Sequence, residues 1–290
     1  MPTSPDQTST QRTSPAQAPA GVTAAGGPDG SRRPPYLSAT AITSGYNKVP
    51  IVRDVTVTVG LGEIVLIMGP NGAGKSTLVK ALTGKVPLMG GRVVLDGEDI
   101  SHAKEDERAK KGIGYVPQLG DVFATLTVQE NLEMGGYCWP RREVRRHVDE
   151  VLEQFPTLQP LRRRHARSLS GGERKTLAIA RSLVADPRLL ILDEPTSNLS
   201  PLIAATVLHD VVDRLAAAGR GILLIEQRVA LGLGVATWGY VLVAGSTRLE
   251  ASGAELRERD DLGSFFLEQG RAAVADTAPS SGPRTHSRGA

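Results

Sequence analysis

The stretch Gly69-Pro70-Asn71-Gly72-Ala73-Gly74-Lys75-Ser76-Thr77 decides how the chain is read. It follows the apolar run Ile64-Val65-Leu66-Ile67-Met68 and leads into Leu78-Val79-Lys80-Ala81-Leu82, the order strand, glycine-rich turn, helix start. Gly72 and Gly74 open backbone angles closed to other residues, so successive amide N–H groups can converge on a polyphosphate at the positive end of a helix. Lys75 then reaches the β- and γ-phosphates and the Ser76 hydroxyl reaches Mg²⁺. An ordinary glycine-rich turn would match this spacing in about one per cent of chains this long.

Outward from this loop, the 290 residues suffice for one large domain or two small ones. Residues 1–36 and 270–290 are rich in Ser, Thr, Pro, Ala and Gly and poor in large apolar side chains. Burial there cannot offset the entropy of ordering, so both are expected to be disordered tails around a folded body at 37–269. The net charge of +3 is not gathered in one block. Its densest groups are Arg141, Arg142, Arg145, Arg146 and Arg162, Arg163, Arg164, Arg167. These suit solvated helix faces, anionic headgroups or a partner better than nucleic acid, because no aromatic residue interleaves with them as a stacking platform. The single cysteine, Cys138, excludes an intrachain disulfide and points to a reducing compartment. No apolar run approaches the roughly 20 residues that span a bilayer, and the first residues lack the order of a signal peptide. The chain is expected to be soluble and to work against a membrane only through another protein.

Alternating apolar residues from Tyr36 to Val59 predict antiparallel strands before the loop, with Tyr46 between them. A tyrosine there serves either packing or stacking on a planar ligand. Gly84 stops the loop helix, and strands follow at 90–97 and 113–118, the second ending at Pro117-Gln118. Residues 119–169 read as helical, with a capping box at Thr127-Val128-Gln129-Glu130 and an amphipathic helix closed by Pro156. Leu169-Ser170-Gly171-Gly172-Glu173 opens another helix, whose start offers free N–H groups and the Ser170 hydroxyl to a second anion. Leu189-Leu190-Ile191-Leu192-Asp193-Glu194 is a buried parallel strand with two carboxylates at its C-terminal end, where open α/β sheets bind ligands. They could simply cap the next helix; after a phosphate loop, Asp193 suits Mg²⁺ and Glu194 suits a base acting on water. A helix from Ser200 and Pro201 to Gly219, a strand at 221–225 ending in Glu226-Gln227, and strand-like runs at 240–243 and 247–251 complete the body.

Taken in order, the Gly69–Thr77 loop, Gln118, Leu169–Glu173, Leu189–Pro195 and a polar residue after the last buried strand resemble the ATP-binding cassette ATPases. The resemblance covers the whole body. It implies an α/β fold: a P-loop NTPase core of RecA type, an antiparallel β subdomain and a small inserted helical subdomain at about 119–169. It further implies that Tyr46 stacks on adenine and that Asn71, Gly72, Ala73, Gly74, Lys75, Ser76 and Thr77 cradle the phosphates of ATP. Ser76 and Gln118 would hold Mg²⁺, with Asp193 reaching it directly or through water. Glu194 would polarise the attacking water, and Gln227 would stand where the family usually has His. Ser170, Gly171 and Gly172 would contact the γ-phosphate of ATP on a second cassette, which explains two anion-binding helix starts in one chain.

The strings Thr127–Leu132, Met134–Tyr137, Asp193–Pro201 and Leu224–Gln227 are similar to the second ATPase subunit of importers for branched-chain amino acids, amides and urea. That resemblance implies membrane permease subunits, a second ABC ATPase as homo- or heterodimer, indirectly a solute-binding protein, and a place on the cytoplasmic face of the cell membrane. Gln227 cannot titrate as His does. Ser200 and Asn198 stand where relatives commonly have Asp and this subgroup has Gly. Other readings are the ABC ATPase of another transporter class, a soluble cassette ATPase on nucleic acid or ribosomes, and a regulatory module without turnover. Only 51 residues separate Gln118 from Ser170, too few for the long coiled coil of repair ATPases, so no nucleic acid is expected; Lys75, Asp193 and Glu194 argue against the regulatory module.

Overall fold

The computed structural model describes residues 34–266. The tails expected at 1–36 and 270–290 lie outside the described residues, except that β1 (Pro35–Tyr46) begins two residues before the expected boundary. Tyr36 is buried, and its ring takes the Arg188 guanidinium at 4.9 Å.

Runs apolar at every position need cover on both faces, which a parallel sheet between two layers supplies. Strands β3 (Ile64–Met68), β7 (Leu189–Asp193) and β8 (Gly221–Ile225) are buried throughout. They form the middle of a six-stranded sheet in the order β10-β9-β3-β8-β7-β6, with β6 at Ile113–Val116, β9 at Trp238–Val243 and β10 at Ser246–Ser252. All neighbours are parallel except the edge pair β9 and β10. Alternate residues enter opposite cores: Ile64, Leu66 and Met68 face a helical layer, while Val65 and Ile67 face an antiparallel sheet. That second sheet has the order β2-β1-β4-β5, with β2 at Val49–Gly60, β4 at Leu88–Leu95 and β5 at Glu98–Asp99. The helix α1 (Lys75–Leu82) contributes its apolar residues to the same core.

The helical expectation for 119–169 holds only in part. Helices α3 (Val128–Gly135) and α4 (Arg141–Gln154) form, but 119–127 is irregular, and two short 3-10 turns carry the chain from Gln159 to Ser168. Asn131, fully buried on α3, is the reason the loop is stable without being helical. Its amide Nδ2 donates to the carbonyls of Phe123, Leu126 and Thr127, and its Oδ1 accepts from the Phe123 N–H at 2.8 Å. The segment expected as one helix at 201–217 is continuous but widens to π-helix at Val207–Asp213, between α6 (Pro201–Thr206) and α7 (Arg214–Ala217). The wide turns place Val207, Leu208, Val211 and Val212 in the core.

The C-terminal end of α1 lies under α2 (Glu105–Lys110), so its last carbonyls need a buried donor. Arg108, almost fully buried, gives its guanidinium to the carbonyls of Ala81, Leu82, Ala103 and Ser101 at 2.7–3.0 Å. Arg108→Met removes a donor from four carbonyls, of which Ala81 alone keeps a backbone N–H, from Gly84. It should destabilise the chain by about 3 kcal/mol, lowering the melting temperature by roughly 6–12 °C for a domain of this size; calorimetry checks this.

Candidate nucleotide site

Each polar group of the site sits where a buried strand ends. After β3 the backbone turns through Gly72 (φ 79°) and Gly74 (φ 98°) into α1, so only residues without Cβ strain fit these two positions. Lys75 folds back to donate to the Gly69 and Pro70 carbonyls at 2.7 and 3.0 Å. An ammonium has three donors, so one remains for a ligand. Burial lowers its proton affinity, opposed by the charges of Glu194 and Asp193.

The loop borders a cavity of about 250 Å³ lined by Asn71, Gly72, Ala73, Gly74, Lys75, Ser76 and Thr77, with Gln118 from beyond β6, Glu194 from beyond β7 and Gln227 from beyond β8. Ile51 of β2 also lines it. Sequence reading took that residue only as part of an alternating strand, and no local signal separates it from its neighbours.

Glu194 stands at φ 50°, left-handed backbone that side-chain-bearing residues rarely adopt. Its N–H is held by the Ile225 carbonyl of β8 at 2.9 Å. Both carboxylate oxygens are engaged: Gln118 Nε2 donates to Oε2 at 2.6 Å, and Gln227 Nε2 donates to Oε1 at 2.5 Å. Two glutamines thus fix the orientation of one carboxylate in the cavity wall. Asp193, buried at the last position of β7, accepts from the Tyr115 hydroxyl at 3.4 Å. Burial and the neighbouring Glu194 charge raise its proton affinity, against Tyr115, Lys75 and Lys80. It is not among the residues lining the cavity.

Glu226 is a part of the site that the sequence reading passed over. It is buried, and its Oε1 accepts from both the N–H and the hydroxyl of Thr196, at 3.0 and 2.7 Å. This pins the loop that follows Glu194. Two residues on, Asn198 stands at φ 61°. Asn tolerates left-handed backbone better than other side chains do, so it fits this position.

Two sequence-derived residues groups lie apart from this cavity. Tyr46, exposed at the end of β1, does not line it; its hydroxyl accepts from Lys80 at 3.3 Å. Ser170, Gly171 and Gly172 also lie outside the lining, at the start of α5 (Gly171–Leu183). Ser170 caps α5 in a reciprocal box: its N–H donates to Glu173 Oε2 at 2.7 Å, and its Oγ accepts from the Glu173 N–H. The signal, Ser followed by Glu three residues on, is plain in the sequence. The glycines have an intramolecular reason too, since a Cβ would stand 3.0 Å from Leu199 Cδ2 at Gly171 and 2.7 Å from Ile203 Cγ2 at Gly172.

The family model described as ABC transporter matches residues 52–197. The probable branched-chain amino acid transport ATP-binding protein LivF of Archaeoglobus fulgidus is 38% identical over 224 residues, covering 77% of this chain and 95% of that protein. The lipopolysaccharide export system ATP-binding protein LptB of Haemophilus influenzae is 38% identical over 213 residues, covering 72% and 87%. Among solved structures, the ADP conformation of an ATP-binding cassette of an ABC transporter superposes with a TM-score of 0.73 at 28% identity, covering 80% of this chain and 98% of that one.

The Asp193 carboxyl carries a stability consequence. Its proton affinity is raised on folding, so the ionised form opposes folding above that titration, and the opposition fades as pH falls through it. Asp193→Asn should therefore raise the melting temperature of the nucleotide-free chain at pH 7.5, with a gain that shrinks as the pH is lowered. Thermal melts across pH check this.

Proposed function

Because the chain belongs to the ATP-binding cassettes of the ABC transporter family, which hydrolyse ATP, we propose that it is the ATP-hydrolysing subunit of a membrane importer for branched-chain amino acids or related amides or urea. The observation that carries this reading is the end of β8. There Gln227, which the resemblance to that importer subgroup places where the wider family has His, completes the clamp on Glu194. Sequence identity of 38% to the Archaeoglobus protein over nearly all of that protein's length supports the same reading.

In this account Asn71 to Thr77 hold the phosphates, and the free donor of Lys75 adds to them. Glu194, oriented by Gln118 and Gln227, takes up the proton of the attacking water. Ser76, Gln118 and Asp193 offer hydroxyl, amide and carboxylate oxygens, the ligand types of a hard dication, and a cation would relieve the desolvated Asp193. Mg²⁺ held there would neutralise charge on the transferring phosphate. Tyr46 would stack on adenine, and Ser170, Gly171 and Gly172 would complete the site of a second cassette.

No helix among the described residues is long and apolar enough to cross a membrane, so the membrane is reached through permease subunits on its cytoplasmic face. A groove of about 770 Å³ between the end of α1, α2 and α3 supports this, with Phe123, Met134 and Tyr137 exposed along it. It suits a short apolar helix of a permease. A solute-binding protein would act beyond the permease, and no nucleic acid takes part.

Glu194→Gln should lower steady-state phosphate release by about 10² to 10⁴-fold while nucleotide titration shows ATP binding intact. Unchanged turnover would remove Glu194 from its role. The tagged chain, isolated from detergent-solubilised membranes of its host, should carry two polytopic membrane proteins and a second cassette. The equal identity to the Haemophilus protein carries a second, export reading; membrane partners that join a lipopolysaccharide-carrying assembly would establish it instead.

A further inference from the structure

We propose that Lys175 is a positioning residue that ties the start of α5 to Gln118, so that the glutamine holding Glu194 responds to what the Ser170 end of α5 binds. This rests on the roles given above to Gln118 and Glu194. Lys175 is buried on α5, one turn beyond Gly171. Its ammonium pairs with Asp121 Oδ2 at 2.8 Å, the two side chains being 10% and 15% exposed. The same ammonium donates to the main-chain carbonyl of Gln118 at 3.1 Å.

A buried ion pair is weak evidence for stability, because desolvation can exceed the attraction. What gives this pair another purpose is its second partner, the backbone of the residue whose amide holds Glu194. The segment from Pro117 to Leu126 contains no helix or strand of its own. Lys175 on α5 anchors it at Gln118, Asn131 on α3 grips Phe123 through both its N–H and its carbonyl, and His165, Ala166 and Arg167 hold the carbonyls of Thr125, Leu126 and Ala124. These anchors belong to the helical layer, whereas Glu194 stands on the sheet. A shift of α5 relative to the sheet must therefore move the Gln118 backbone, and a one-turn lever separates Lys175 from the anion-binding end. In a pair of cassettes the nucleotide on one chain would thus set the readiness of the site on the other.

The test compares full-length wild type, Lys175→Met, Lys175→Arg and Asp121→Asn, with Glu194→Gln alongside. Peptide-resolved hydrogen exchange is followed over 117–126, together with turnover and ATP affinity. Lys175→Met should speed exchange at 118–123 by about tenfold and lower kcat by about tenfold or more, with ATP affinity changed by less than about twofold. Lys175→Arg should retain wild-type exchange and turnover. Asp121→Asn should act in the same direction as Lys175→Met but more weakly, since the bond to Gln118 remains, and it decides the matter if the methionine variant fails to fold. Unchanged exchange, or equal losses in kcat and ATP affinity, would overturn the role. Retained turnover in Glu194→Gln would count against the site roles, and exchange would then decide the tie between Lys175 and Gln118 by itself.

Discussion

A strand covered on both faces can place polar side chains only where it ends. That constraint arranges the whole molecule. Strands β3, β6, β7 and β8 run parallel, so their C-terminal ends fall on one edge, and there the sheet sets the phosphate loop, Gln118, Glu194 and Gln227. The four pieces are far apart in sequence, and none is held by a neighbour in the chain. They meet because backbone hydrogen bonds fix the strand register: Asp193 pairs with Ile225, so the residues that follow, Glu194 and Glu226-Gln227, emerge side by side.

The arrangement stores unfavourable interactions at the same edge. Lys75 and Asp193 are both desolvated, and burial shifts each toward its neutral form. Glu226, buried against Thr196, is shifted upward by burial as well. Glu194 adds left-handed backbone, which costs roughly 1–2 kcal/mol for a residue with a side chain. Rigid packing of the strands beneath absorbs these costs. A polyphosphate and its counter-ion would bring opposite charge to the lysine and carboxylates alike, relieving both.

The parallel sheet was legible because its short all-apolar runs end in turn residues and polar groups, and the phosphate loop because its glycine spacing falls between such a run and a helix start. Glu194 stood out by type and by its place after an apolar strand, whereas Gln118 was singled out only through the family resemblance. Other features depend on contacts between segments distant in sequence. Ile51 enters the cavity wall through the packing of one sheet on another. Lys175 looks like any charged residue on an amphipathic helix until Asp121 and Gln118 are seen against it. The irregular 119–127 segment reads as helical because its apolar spacing permits a helix, while the Asn131 side chain supplies the competing bonds. Asn198 illustrates the reverse: its sequence departure has no meaning until its left-handed backbone angle is known.

The start of α5 shows how one sequence can serve two states. In the single chain Glu173 occupies the Ser170 N–H, and the Ser170 hydroxyl accepts from the Glu173 N–H, so the helix end is satisfied from within. A phosphate arriving from a second cassette would compete with that carboxylate only for the Ser170 N–H, since the Ser170 hydroxyl accepts in the cap and keeps its own proton to donate. Hydrogen bonds traded one for another leave a small net free energy, which suits an interface that must both close and open. Gly171 and Gly172, with no side chains, let Leu199 of the loop after Glu194 and Ile203 of α6 approach the helix start closely.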